Sequence, residues 1–497
     1  MDLLDLGVLD LFDRLVREDV GFVRQEVAVV NFIFRGVIIL LLFAHPETGE
    51  DIGKTLVRRL AERAALKHVD EPTSSGIADP EAALQEYQEA AEREPDAPST
   101  RSLLARLHLL VGDNETAEEL LAAVLADTQG VDQRDMADAH YALALLAAAR
   151  GEGGDERARL EAAIAADPSH SDALASLAAH LASEGETEPA AELFDRALDQ
   201  DPDNVAALLG RGSLAAADEQ PEEALGYYDR ASDADPEYAF VYVDRANVLR
   251  EERRYEEAIV DMTRAVELEP EYYWHYLDRG RLHALAGDRD AASADYGRAI
   301  EIDDTLFIAY AHRGNVRFRR VDPGLVLADY ERAISLRPDY YPAYPFIALL
   351  NAALGDWTRA AEYFARSSEH EPQELGYLLL SGLGHLFAED ATAAAEVVEQ
   401  VRTVAPRDSW YYDASRLLLG DLDTVTLHTK YRDHRDQTQA ARMTFYLGAA
   451  EVLAGRPATA TLYLLEAQDR TEADYLERYL AQSLGDALEQ GEGAGPR

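Results

Sequence analysis

An all-α fold is predicted for this chain: antiparallel helix pairs stacked side by side, about ten or eleven of them, with a capping helix at the C-terminal end. Two observations carry the prediction. Pro168, Pro202, Pro236, Pro270, Pro338, Pro372 and Pro406 follow one another in steps of 34 residues, once Asp304 fills the one missing place. A fixed period in this range marks a repeat array. Inside each period, residues of one face recur at helical spacing twice over, first at i, i+3, i+4 and i+7 and then at i, i+4 and i+7, as in amphipathic helices.

One period shows how the pair arises. Tyr242, Arg245, Ala246 and Leu249 fall on one face of a first helix. Glu251 to Tyr255 make a polar turn, and Ala258, Met262 and Ala265 form the stripe of a second helix. Pro270 ends it, because its ring cannot continue a helix and the preceding residue is pushed out of the α region.

The other units repeat the scheme in register. A small residue stands where the two helices cross: Ala178, Gly212, Ala246, Gly280, Gly314, Ala348 and Gly382. Another opens the second helix at Ala190, Ala224, Ala258, Ala292, Ala360 and Ala394, with Val326 as the exception. Four residues later comes a bulky one: Phe194, Tyr228, Met262, Tyr296, Tyr330, Phe364 and Val398. Ala197, Ala231, Ala265, Ala299 and Ala333 close the stripe. All of these are read as packing residues.

In these small, bulky and terminal-proline positions the chain resembles the tetratricopeptide repeat (TPR) family, whose period is also 34 residues. The resemblance implies an α-α superhelix, a TPR solenoid, with a concave groove lined by the first helix of each pair. It also implies that residues at the second, fifth, ninth, twelfth and thirteenth positions of that helix face the groove. On the middle units these positions carry Phe240, Asn247, Arg250, Trp274, Arg281, Ile308, Asn315, Phe318 and Arg319. Asparagine can pin a peptide backbone, arginine can fork onto a carboxylate, and aromatics hold apolar side chains. Pairing of the arginines with neighbouring acids such as Asp244 and Asp278 stays open as the alternative. The lower groove (Pro345, Leu349, Leu379, Leu383, Trp410) is more apolar. A clamp for chaperone tails needs lysines, and none occurs between Lys67 and Lys430.

The chain has 497 residues, and a repeat array makes them one extended domain with nearest-neighbour contacts. Regular repeats run over 137–408 within an array spanning 76–490. Lys and Arg number 47 against 94 Asp and Glu, a net charge of −47. Such a surface repels phosphate and disfavours nucleic acid. With no cysteine, disulfides and thiolate metal sites are excluded.

Residues 1–75 depart from the repeat. The most apolar stretch, 27–44, is interrupted by Asn31 and Arg35. It reads as a membrane anchor, as an uncleaved signal-like segment, or as an element packed on the first repeats. Localisation is accordingly open between the cytoplasm and a membrane or cell envelope, with a membrane-tethered scaffold as one reading.

Residues 49–55, Gly49 to Thr55, imitate a phosphate-binding loop, but three residues separate the glycines where four are needed. A nucleotide-dependent protein is the weaker alternative resting on them. Residues 70–79 read as a linker, Pro80 opens a helix, and a short insertion near Gln129 to Arg134 shifts the register. After Pro406 the repeat decays: His428, Arg432 and Arg435 replace small, bulky and small. Ala441 to Leu453 and Pro457 to Gln468 make a last pair. Glu472 to Leu488 is the expected cap, with Tyr475, Leu476, Tyr479, Leu480 and Leu484 on one face, and 491–497 an unstructured tail.

Thirteen histidines are scattered, and no catalytic, metal or cofactor constellation emerges. The function expected is a non-enzymatic scaffold or adaptor whose partner is another protein or a peptide.

Overall fold

A computed structural model of the chain describes residues 101, 102, 104, 105, 108, 109, 113–126, 131–470 and 475–490. The readings of 1–75, of 27–44 and 49–55 within it, of the linker and of the tail 491–497 lie outside the described residues. Among the described residues there are helices and no strand. Asn114–Ala126 (α1) leads. Five pairs follow: Gln133–Ala149 with Gly153–Ala166 (α2, α3), Ser171–Ser183 with Thr187–Gln200 (α4, α5), Val205–Ala217 with Pro221–Ala234 (α6, α7), Ala239–Glu251 with Tyr255–Leu268 (α8, α9) and Tyr273–Leu285 with Arg289–Ile302 (α10, α11). Five more complete the array: Phe307–Arg317 with Pro323–Leu336 (α12, α13), Tyr344–Ala353 with Trp357–His370 (α14, α15), Leu375–Phe387 with Ala391–Val404 (α16, α17), Trp410–Leu418 with Thr424–Tyr431 (α18, α19) and Gln437–Leu453 with Pro457–Asp469 (α20, α21). Leu476–Glu489 (α22) comes last. The helices fall into two compact units, one ending at Pro270 and one beginning at Glu271.

The proline period is a helix-ending device. Asp167, Asp201 and Asp235 hold extended backbone at the end of a second helix, as a residue before proline must. Their carboxylates accept from the backbone N–H two residues on, at 2.9, 3.2 and 3.1 Å. Asp303 stands before Asp304 instead of a proline, yet takes the same conformation, with φ −139°, and accepts from Thr305 N at 2.9 Å. The aspartate turn alone is sufficient to stop the helix there.

The small-residue column is where the two helices of a pair touch. A Cβ built on Gly212 would lie 2.6 Å from the Tyr228 ring, and one on Gly280 would lie 2.8 Å from Tyr296. Gly314 meets Tyr330 at 3.3 Å. Each of these tyrosines is sixteen residues beyond its glycine. Where the bulky partner is Phe194, Phe364 or Met262, the column carries Ala178, Ala348 or Ala246 instead. Val326, the exception at the opening position, is fully buried.

A second sixteen-residue coupling is polar. Arg245 clamps the buried Asp261 through Nε and Nη2 at 2.9 and 2.6 Å, and Arg279 clamps Asp295 at 2.9 and 2.7 Å. Arg313 reaches Asp329 with Nη2 at 2.6 Å. Each guanidinium also lies over a tyrosine of its own helix: Tyr242, Tyr276 and Tyr310, at 5.6, 5.7 and 5.5 Å from the ring centre. Bidentate pairs of this kind fix the register of first against second helix.

The decay after Pro406 is visible as well. α19 has only eight residues and ends at Tyr431, whose hydroxyl donates to Asp413 of α18 at 2.7 Å. α20 starts at Gln437, capped by Asp436, four residues ahead of the expected start.

Candidate functional site

In the unit ending at Pro270, α8 carries three of the nine candidate groove residues. Phe240, Asn247 and Arg250 are all half-buried. The Phe240 ring lies 5.8 Å from that of Tyr238. Arg250 stands 3.6 Å from Glu251, its sequence neighbour.

In the unit beginning at Glu271, Trp274 opens α10 and keeps 38 % of its surface exposed, unusual for a ring of this size. Arg281 is half-buried on the same helix and has no hydrogen-bond or ion-pair partner among the described residues. Beside it lie the buried Tyr296 and the half-buried His312, whose rings stack at 5.3 Å. Burial, with the Arg281 charge adding to it, pushes His312 down to about 3, so the imidazole stays neutral and acts as packing. Ile308 is half-buried at the start of α12, and Asn315 is buried near its end.

Phe318 and Arg319 sit differently from the expectation. α12 ends at Arg317, so neither residue lies on the first helix. Phe318 leaves the helix with φ −52° and ψ 131°, and Arg319 takes the left-handed conformation at φ +64°. In neighbouring pairs the left-handed turn residue is Gly287 or Gly355. Here it comes two residues earlier in the period, because Asp322 and Pro323 start α13 on schedule behind a first helix that ends short.

The shift turns both side chains toward α22. The Phe318 ring packs edge-on against Phe346 at 5.3 Å and lies 5.0 Å from Tyr479 of α22. Arg319 Nη2 donates to Gln482 Oε1 at 3.5 Å.

The apolar candidates of the lower groove are closed off. Leu379 and Leu383 are fully buried, Leu349 is 1 % exposed and Trp410 5 %. α22 packs against α14, α20 and α21. Its Tyr475 hydroxyl donates to the Ala467 carbonyl of α21 at 2.7 Å, which is the capping role expected from the sequence. Leu480 and Leu484 of α22 are buried. The contacts with Phe318, Arg319 and α14 were not expected.

A polar cluster lies under the start of α22. Burial holds the Glu477 carboxyl above the usual carboxylate range, opposed by the Arg442 charge. Arg442 Nε is 3.7 Å from Glu477, and its Nη1 is 3.9 Å from Glu374. The Tyr411 hydroxyl donates to Glu374 at 2.6 Å. Arg442 Nε and the buried Tyr446 hydroxyl have no hydrogen-bond partner among the described residues. Arg442 also lies 5.6 Å from the Trp410 ring centre.

Sequence reasoning missed this cluster, although Trp410, Tyr411, Arg442 and Tyr446 all stand on first helices. Its one signal was an unusually apolar groove next to an aromatic-rich cap. Among the described residues, no group of three or more His, Asp and Glu is arranged to hold a metal ion, and no helix is long and apolar enough to cross a membrane.

Sequence models of the tetratricopeptide repeat match residues 78–146, 141–205, 183–239 and 241–272. No curated protein matches the chain. Among solved structures, YrrB, described as a TPR protein with an unusual peptide-binding site, is 24% identical, with 37% of this chain and 95% of that one covered and a TM-score of 0.33. PilF of Pseudomonas aeruginosa is 20% identical over 42% of this chain and 96% of its own, with a TM-score of 0.37. A tetratricopeptide repeat protein of Parabacteroides merdae is 19% identical over 50% and 98%, with a TM-score of 0.35. The matches identify tetratricopeptide repeats within residues 78–272, and helix pairs follow one another beyond them.

Proposed function

We propose that the chain is a non-enzymatic scaffold or adaptor that holds an extended peptide or a partner helix of another protein against the first helices of its repeats. The observation that carries this reading is Arg281. In a chain with 94 acidic residues, it is a half-buried arginine on a first helix with no acid paired to it among the described residues. A guanidinium held in this way can fork onto a peptide carboxylate. Trp274, exposed on the same helix, can take an apolar side chain, and Ile308 on α12 extends the apolar contact. On α8, Phe240, Asn247 and Arg250 offer the same chemistry within the other unit, with the Asn247 amide able to pair with a peptide backbone.

The test is selection of a displayed library of random peptides on the full chain and on its Arg281→Ala variant. Enrichment of acidic peptides on the wild type, lost in a variant with unchanged circular dichroism, is the expected result. The same peptides on both, or none on either, would remove the reading.

A further inference from the structure

We propose that the first-helix face of α14, α16, α18 and α20 is a helix-binding surface, that α22 is its resident occupant, and that its partner is an amphipathic helix of another protein carrying aromatic residues beside a carboxylate. The proposal rests on the reading of first helices as the binding face and names, for one part of it, the chemistry of the partner.

Three observations support it. First, α22 already shows that this face accepts a helix. It packs on α14 and α20 with Glu477 toward Arg442, and it reaches past them to the turn after α12, where Tyr479 lies against Phe318 and Gln482 against Arg319. A surface that buries one amphipathic helix is complementary to others of the same pattern.

Second, the fit of the resident is incomplete. The Arg319–Gln482 hydrogen bond is long, at 3.5 Å, and Glu477 stands 3.7 Å from Arg442, beyond hydrogen-bond reach. Two donors, Arg442 Nε and the fully buried Tyr446 hydroxyl, are left unsatisfied beside it. An unpaired buried donor costs stability that a better-placed acceptor recovers. A partner carboxylate reaching Arg442 and Tyr446 gains an interaction that α22 does not make.

Third, the capping and groove contacts of α22 use different residues. Tyr475 bonds to Ala467 of α21, and Gly485 faces Gln468 of α21. Tyr479 and Gln482 make the contacts with Phe318 and Arg319. The groove contacts can therefore be weakened without removing those with α21. Being on the same chain, α22 competes at a high effective concentration and sets a threshold that an outside helix must exceed.

The experiment uses a fluorescein-labelled peptide of residues 475–490 and three full-length proteins: wild type, Tyr479→Ser/Gln482→Arg, and that double variant with Phe318→Ser added. The double variant weakens the resident and leaves the face intact. The peptide is expected to bind it about tenfold or more tightly than wild type, and the added Phe318→Ser should reverse the gain. Hydrogen exchange should show α20 and α21 still protected in the double variant. No binding to a double variant whose α14 to α21 remain protected would overturn the proposal. So would loss of protection in α20 and α21 together with α22, since α22 would then be a fixed part of the array. A wild-type dimer that exchanges α22 between copies, seen by sedimentation, would assign the face to a second copy and also overturn it. Peptide exchange here alongside failure of the Arg281→Ala selection would fault only the reading of the α10 and α12 face.

Discussion

The first-helix face of α8 and that of α14, α16 and α18 are built on one 34-residue plan, yet they differ in character. On α8, Phe240, Asn247 and Arg250 remain half-buried, and Asp261, held by Arg245, ties the helix to α9 from behind. On α14 to α18, Leu349, Leu379, Leu383 and Trp410 occupy the face and are shut away from water, with α22 packed on α14. The plan fixes how a pair is glued together. What its first helices present differs from pair to pair. Function in this array should therefore be sought on that face and not in the periodic residues.

The largest effect should come from breaking the glue where it is ionic. Arg245→Ala leaves Asp261 buried with its clamping partner gone and should cost about 3–5 kcal/mol, measured by chemical denaturation. Arg245→Met together with Asp261→Leu should recover most of that loss. If the single variant is as stable as wild type, the ladder does not fix the α8 and α9 register.

A smaller loss is expected in the closed face. Leu480→Ala, at a site 1 % exposed, should cost about 2–3 kcal/mol and raise hydrogen exchange in α20 to α22 while leaving α2 to α9 unchanged. Uniform destabilisation of both units would erase the contrast between them.

Next in size is the helix crossing. Gly212→Ala places a Cβ against the Tyr228 ring and should cost about 1–3 kcal/mol, whereas the combination with Tyr228→Phe should be milder if the ring can then shift. A neutral Gly212→Ala would mean that the tyrosine-to-glycine matching is incidental.

The smallest effect is on pH. Glu477 is held above its unfolded value by burial, with Arg442 opposing and Glu374 adding to the rise; Tyr377, Tyr411 and Tyr446 also face the cluster. A raised folded value means that this contribution is fully present below the unfolded value of about 4.3 and fades as pH rises through the folded one. Glu477→Gln should flatten that part of the pH dependence of α22 protection. An unchanged profile would place the titration elsewhere.

Much of the fold was legible because its causes are local and repeated. Proline places, small residues opposite rings and the i, i+3, i+4, i+7 stripe each depend on residues within one period, and seven copies in register remove the ambiguity of one. The Arg245–Asp261, Arg279–Asp295 and Arg313–Asp329 clamps were equally periodic but went unread, because an arginine and an aspartate sixteen apart mean nothing until the pair geometry is known. Asp304 was correctly placed as the missing proline, since an aspartate turn and a proline impose the same ending.

Phe318 and Arg319 were assigned helix positions that α12 does not reach. Helix ends are decided by the turn that follows, and a left-handed arginine is not signalled by residue type. The approach of α22 to Phe318 joins residues more than 150 positions apart, and no periodicity encodes such a contact. A groove more apolar than solvent would favour was its only trace in the sequence.

The central claim is that α22 lies on the first-helix face and reaches the α12 turn. The absence of cysteine makes it directly measurable: nitroxide labels at Arg319→Cys and Gln482→Cys in the full chain, with the separation read by pulsed electron resonance. One narrow population at the short end of the method's range is predicted, broadening to longer distances when Tyr479→Ser is added. A broad, long distribution in the otherwise unaltered chain would mean that α22 does not occupy the face, and the contrast between the two regions would have to be explained without it.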